Sequence, residues 1–343
     1  MLLTSITLIK CYYMNRKIIQ PTSRLGFLSC ITLLVVTCAM GCQKSTDHTT
    51  ARPSDPKVSL RSIASATTAT TTTSLGNGVN LQPSYYCSGD ENLGWPLMNQ
   101  YSKITTVRIE LDPSTSSTIS DFTRWISEAI ANGKKVIATF HEYGGSDSLA
   151  DIMTAANWWK ANYPALSANG AFTINLINEW GDHNLTMQQY ADAYNQAISV
   201  VRQVYSGAII CDIPGWGQEF HKAADASPLI TDQNIIFSAH IYTSAYDSQT
   251  GTPTNANLDY LAASGRPCIV GEFGSGGNGS ANWSGLVDHA KTLGWPVIGW
   301  AWNGDGTKRN PMNMISPFWG ARNACGTTTF TTSSYFNTIY NKL

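Results

Sequence analysis

Beyond Ser74 the chain repeats one hydropathic pattern: a short β-branched or apolar run, a polar loop, then an amphipathic stretch. The runs at 78–81, 105–111, 135–141, 172–179, 208–213, 235–242, 267–273 and 297–302 predict strands. Helical spacing predicts helices over 120–131, 148–162, 187–205, 255–263 and 282–293. Gly133 and Gly294 stand just past the ends of the first and the last, where a left-handed residue stops a helix. Strands that alternate with helices imply a parallel sheet joined by crossovers. Eight of them in one domain, 75–343, fit a closed (β/α)₈ TIM barrel. The competing architecture is a doubly wound open sheet. No GxGxxG or Walker-type loop follows the first strand, so a nucleotide-binding form of that sheet lacks support.

The pattern before Ser74 differs. Arg16, Lys17 and Arg24 lead into an apolar stretch over 25–40 that ends at Gly41-Cys42. This predicts an export signal over 1–42, with Met14 as the expected start and Cys42 as a lipidated residue; plain secretion is the alternative. Residues 43–74 are rich in Thr and Ser and too poor in apolar side chains to offset their ordering entropy, which predicts a disordered tether. The expected location is therefore the bacterial cell envelope or surface, with membrane contact only through the lipid.

Composition narrows the partner. A net charge of −1 with 13% charged residues provides no field for nucleic acid or an anionic bilayer. Eleven Trp and fifteen Tyr offer flat apolar faces, suited to sugar rings and equally to an ordinary core. Of the eight Cys, only Cys87, Cys211, Cys268 and Cys325 lie beyond Cys42, and no CxxC spacing suggests a zinc site. Cys211 and Cys268 read as buried thiols. Cys87 and Cys325 sit in loop-like sequence near the two ends of the domain, and the sequence leaves their pairing open. No metal and no cofactor are expected.

In a TIM barrel, chemistry gathers at the C-terminal ends of the strands. Here otherwise apolar runs carry or end in Arg108, His141, Asn178-Glu179-Trp180, His240-Ile241-Tyr242, Glu272 and Trp300-Ala301-Trp302. Two carboxylates from different strands can divide glycoside hydrolysis between an acid and a nucleophile. Arg108 is expected to hold the nucleophile of such a pair ionised, while burial raises the pKa of the acid. Period-two geometry places Trp300 and Trp302 on one strand face, so both are expected at the mouth. Trp180, Trp216 and Trp302 have an alternative reading as packing between barrel and helices.

The signatures Leu176-Ile177-Asn178-Glu179-Trp180 and Ile269-Val270-Gly271-Glu272-Phe273-Gly274 resemble those of glycoside hydrolase family 5, whose members are (β/α)₈ retaining hydrolases. Thr106-Val107-Arg108, Phe140-His141, Ala239-His240-Ile241-Tyr242 and Gly299-Trp300 agree in order. Gly144-Gly145-Ser146-Asp147, Gly215-Trp216-Gly217-Gln218 and Trp300-Ala301-Trp302 are most similar to the family's bacterial endo-β-1,4-mannanases. The resemblance spans 76–306. It implies Glu179 as acid/base and Glu272 as nucleophile. It further implies Asn178 on the sugar 2-hydroxyl, Arg108 and Tyr242 on Glu272, His240 beside Glu179, His141 lining the sugar site and Trp300 as its floor. The implied partner is a β-linked polysaccharide: mannan, glucomannan or glucan.

The loops 181–184, 243–247 and 274–279 depart from the mannanase pattern, which leaves an endo-β-1,4-glucanase of the same family as the alternative. A non-catalytic surface glycan-binding lipoprotein is the reading from another class. A metal-dependent hydrolase using His141, Asp147 and His240 lacks the grouped spacing such sites use.

Overall fold

The computed structural model describes residues 75–306 and 312–343. The expected export signal, Cys42 and the 43–74 tether lie outside the described residues. Eight parallel strands close on themselves: β1 (Gly78–Leu81), β2 (Thr106–Leu111), β3 (Lys135–Phe140), β4 (Thr173–Asn175), β5 (Ile209–Asp212), β6 (Ile235–Ile241), β7 (Cys268–Phe273) and β8 (Val297–Asn303). Each pairs with the next, and β8 returns to β1. Helices alternate with the strands, so the (β/α)₈ barrel expected from the sequence is the fold.

Local sequence explains the outer helices. In Ile119–Ala131 the buried residues are Phe122, Trp125, Ile126 and Ala129, one face of a 3.6-residue repeat. Thr118 and Asp121 cap its start reciprocally. Met187–Val201 is built alike, with Thr186 and Gln189 as the capping pair. It stops short of the expected 205, where 202–204 form turns. Leu149–Leu166 instead outruns its expected end at 162 and carries Pro164 in its final turn. The carbonyl that Pro164 cannot bond belongs to Lys160, which is exposed to water, so the helix tolerates it. The helix Phe220–Ala226 between β5 and β6 was not expected; it is only seven residues long and has no side-chain cap.

Inside the barrel, side chains stack in layers. Ile137, Ile210, Ile236, Ile269 and Ile298 plug the end where the strands begin. Polar groups follow toward the strand ends. Beyond β8, Ile315–Ser316 and Thr331–Thr332 form a small antiparallel ladder before the last helix, Phe336–Tyr340. The Cys87–Cys325 disulfide ties this tail to the loop after β1. Cys211 and Cys268 are free and buried, as expected.

Candidate active site

Glu272 and Ile269 both face the barrel interior although three positions separate them, which strict alternation forbids. A register shift resolves this: Val270 pairs with Ala239, but Glu272 already pairs with His240, so one residue bulges out. That residue is Gly271, where a side chain would run into the Ser238 hydroxyl at 2.2 Å. Glu179 reaches the mouth differently. The β4 ladder ends at Asn175, four residues before the strand end expected from sequence. The backbone then stays anchored, with Asn178 N–H donating to the Phe140 carbonyl. Glu179 itself has φ = 49°, a left-handed conformation costly for a residue with a Cβ. Its N–H donates to Asp212 Oδ2 at 2.9 Å, and its carbonyl accepts from Gly145 N–H, which together hold it there.

Arg108, fully buried, organises the floor. Its guanidinium donates to Asn175, Asn80, Glu110 (3.0 Å), Glu272 (2.8 Å) and Asn178 (2.6 Å). Tyr242 donates to the other Glu272 oxygen at 2.7 Å. His240 Nδ1 lies 2.9 Å from Glu179 and 3.6 Å from Glu272, and its Nε2 lies 3.4 Å from Asp212. Burial works against a charge on His240, but Glu272, Asp212 and Glu179 outweigh it and push the imidazole up to about 9. His240 is thus a cation at neutral pH, shared among three carboxylates.

Oxygens of Glu179 and Glu272 lie within 4.8 Å of each other. The expected division of burial is reversed. The Glu272 side chain is 5% exposed and that of Glu179 23%. Burial therefore raises the Glu272 carboxyl, and the charges of His240 and Arg108 pull it back toward the ionised form. The same side chains, and the set Glu110–His141–Glu272, come close enough to surround a cation. Arg108 and the protonated His240 already supply positive charge there, and a protonated imidazole has no lone pair for a metal.

The cleft above has a volume of about 360 Å³ and is lined in part by His141, Asn178, Trp216, Tyr242 and Trp300 with the two glutamates. His141 pairs with Glu110 at 2.9 Å, and Trp300 donates its indole N–H to Asp305 at 3.0 Å. Trp216 is 38% exposed on the rim. Two predicted aromatics are elsewhere. Trp302 is wholly buried outside the barrel wall and donates to the Leu93 carbonyl. The β8 register against β1 jumps between Gly299 and Asn303, so alternation does not carry from Trp300 to Trp302. Trp180 is buried against Tyr194, with its N–H on the Ser148 carbonyl. The left-handed turn at Glu179 directs these neighbours to opposite sides of the wall.

A profile described as Cellulase (glycosyl hydrolase family 5) matches residues 93–306, well over half of the chain. The chain belongs to glycosyl hydrolase family 5. It is 27% identical over 257 residues to a mannan endo-1,4-beta-mannosidase of Streptomyces lividans, an alignment covering 68% of this chain and 66% of that protein. The chain thus spans just under two thirds of this curated relative. A Thermomonospora fusca beta-mannanase solved with mannohexaose superposes with a TM-score of 0.62 at 21% identity, covering 78% of this chain and 89% of that one. An endoglucanase catalytic domain of Thermobifida fusca superposes at 0.60 and 16% identity, covering 78% and 90%. The two superpositions support the barrel fold.

Several residues of this family 5 site escaped the sequence reading. Asn80, Glu110, Asn175 and Asp212 are buried polar residues that complete the surroundings of Arg108. Tyr85 bridges His141 and Asp112 from the loop after β1. The available signal was a charged or amide residue inside an otherwise apolar strand, as in Ile209-Ile210-Cys211-Asp212. A group buried in such a run needs a partner.

Proposed function

We propose that the domain is a retaining endo-β-1,4-mannanase that cleaves by double displacement, with Glu179 as acid/base and Glu272 as nucleophile. The observation that carries this reading is the approach of the two carboxylates to within 4.8 Å at one cleft. Retaining pairs stand about 5–5.5 Å apart, whereas inverting pairs need about 6.5–9.5 Å to admit a water. In the first step a Glu272 oxygen attacks the anomeric carbon as the glycosidic C–O bond breaks, and Glu179 gives its proton to the departing oxygen. In the second step Glu179 takes a proton from water, whose oxygen attacks the same carbon and releases Glu272. Arg108 and Tyr242 hold Glu272 in line. Asn178, pinned through its carbonyl oxygen by Arg108, retains its NH₂ for the sugar 2-hydroxyl. Trp300 supplies the stacking floor.

The mannan preference is supported by the curated relative's name and by the mannanase-like segments around Trp216 and Trp300. The likeness to an endoglucanase supports the second reading, a glucan substrate. Export and lipidation at Cys42 complete the proposal on sequence grounds, with the Cys87–Cys325 disulfide as chemistry suited to an oxidising compartment. Reducing-sugar release from galactomannan, glucomannan, carboxymethylcellulose and β-glucan tests the activity, with Glu179→Gln and Glu272→Gln as controls. Cleavage of both mannans, abolished in each variant, is expected. Cleavage of cellulose or β-glucan alone would overturn the substrate and leave the chemistry standing.

A further inference from the structure

Three loops outside the reacting centre are fastened together by one buried carboxylate. Glu219 is fully buried and accepts from His183 Nδ1 in the loop after β4, at 2.5 Å. It also accepts from the Ser248 N–H at 3.0 Å and the Ser248 hydroxyl at 2.7 Å, in the loop after β6. Lys222 approaches the same carboxylate at 3.6 Å and donates to the His183 carbonyl at 2.7 Å. Gln218, next to Glu219, accepts from the Tyr246 N–H. These bonds bring three rings together. His183 lies 5.1 Å from Trp216, tilted by 57°, and 5.4 Å from Tyr246, edge to face at 82°. Trp216 and Tyr246 are among the most exposed large apolar side chains of the described residues, and Trp216 also lines the cleft holding Glu179.

We propose that His183 and Tyr246 extend Trp216 into a platform for the sugars on the leaving-group side of the cut, with Glu219 as its positioning residue. The inference rests on the hydrolase reading above and adds the part of the polymer that this rim receives. The side follows from the geometry. Trp300 and Glu272 come from β8 and β7, whereas Glu179, which protonates the departing oxygen, ends the β4 segment. The departing chain therefore runs over the loops of β4, β5 and β6, where the platform stands. Exposed rings held rigid lose little entropy when a pyranose stacks on them. A solvated carboxylate would not fix His183 as one buried with three donors does.

The test compares two substrates in wild type, Tyr246→Ala, Tyr246→Phe and Glu219→Gln. One is β-1,4-mannohexaose, which crosses the platform; the other is an aryl β-mannobioside, whose small leaving group does not reach it. For Tyr246→Ala and Glu219→Gln, kcat/KM on the hexasaccharide should fall about three- to tenfold, the range of one aromatic contact. The aryl substrate should be unaffected, and Tyr246→Phe should match wild type. An unchanged hexasaccharide rate, or an equal fall on both substrates, overturns the platform. If wild type cuts only the cello-series counterparts, the mannan reading fails, and the same ratio measured there decides the platform. A wild type inert on both series sinks the hydrolase reading and the platform together.

Discussion

The two ends of the barrel interior draw on the same closed sheet, with β5, β6 and β7 contributing to both, yet differ in what fills them. Where the strands begin, Ile137, Ile210, Ile236, Ile269 and Ile298 interlock with no polar atom among their side chains. Near the strand ends, Arg108, Glu110, Asp212, His240 and Glu272 are buried just as deeply and are all ionisable. Burying an isoleucine stabilises the fold by about 1.5–3 kcal/mol. A buried charge costs several kcal/mol before its partners repay it. One end therefore holds the barrel closed, and the other spends part of that stability on a preorganised electrostatic site.

The two ends should respond differently to substitution. The largest expected effect is at the mouth: Glu272→Ala should lower kcat on the cleaved polysaccharide by at least about 10⁴-fold. Its denaturation midpoint should stay near that of wild type, because burial already disfavours this carboxylate; a collapse in stability would mean that Glu272 serves the fold. At the opposite end, Ile236→Ala should cost about 2–5 kcal/mol in urea unfolding. Its kcat below the transition should match wild type, and a large loss of kcat would deny the division of labour.

Smaller effects sharpen the picture. Tyr242→Phe removes one hydrogen bond to Glu272, and kcat/KM should drop about ten- to a hundredfold. Hydrogen bonding favours the ionised carboxylate, so the acid limb of the pH–rate profile should move to higher pH in this variant. An unmoved limb would remove Glu272 as the group titrating there. A separate effect is on stability against pH. The folded value of His240, about 9, lies above an unfolded value near 6.5. Its contribution is thus complete below about pH 6.5 and disappears as pH rises through about 9. Melting temperature should fall across that window, and His240→Asn should flatten the slope.

Much of this was legible in the sequence because the signals are local. Alternating runs gave all eight strands, and capped periodic stretches gave the longer helices. Residues carrying a resemblance, Glu179 and Glu272 among them, were found from their motifs. The misreadings arise where the backbone leaves its ideal period. The irregular β8 register turns Trp302 outward, and the left-handed Glu179 sends Trp180 behind the wall. Such turns depend on neighbouring strands. The buried partners of Arg108 were missed for a related reason, since Asn80, Asn175 and Asp212 meet only when the barrel closes.

The proposed double displacement needs Glu179 and Glu272 close enough for one to attack the sugar while the other serves the leaving group, and an oxygen of each lies within 4.8 Å of the other. Proton NMR of the hydrolysis of a β-1,4-manno-oligosaccharide, recorded before mutarotation, tests it most directly. The newly formed reducing end should appear first as the β-anomer, with the α-anomer growing in later. An α-anomer formed first would mean inversion by a single displacement and would contradict the assignment of Glu272 as nucleophile.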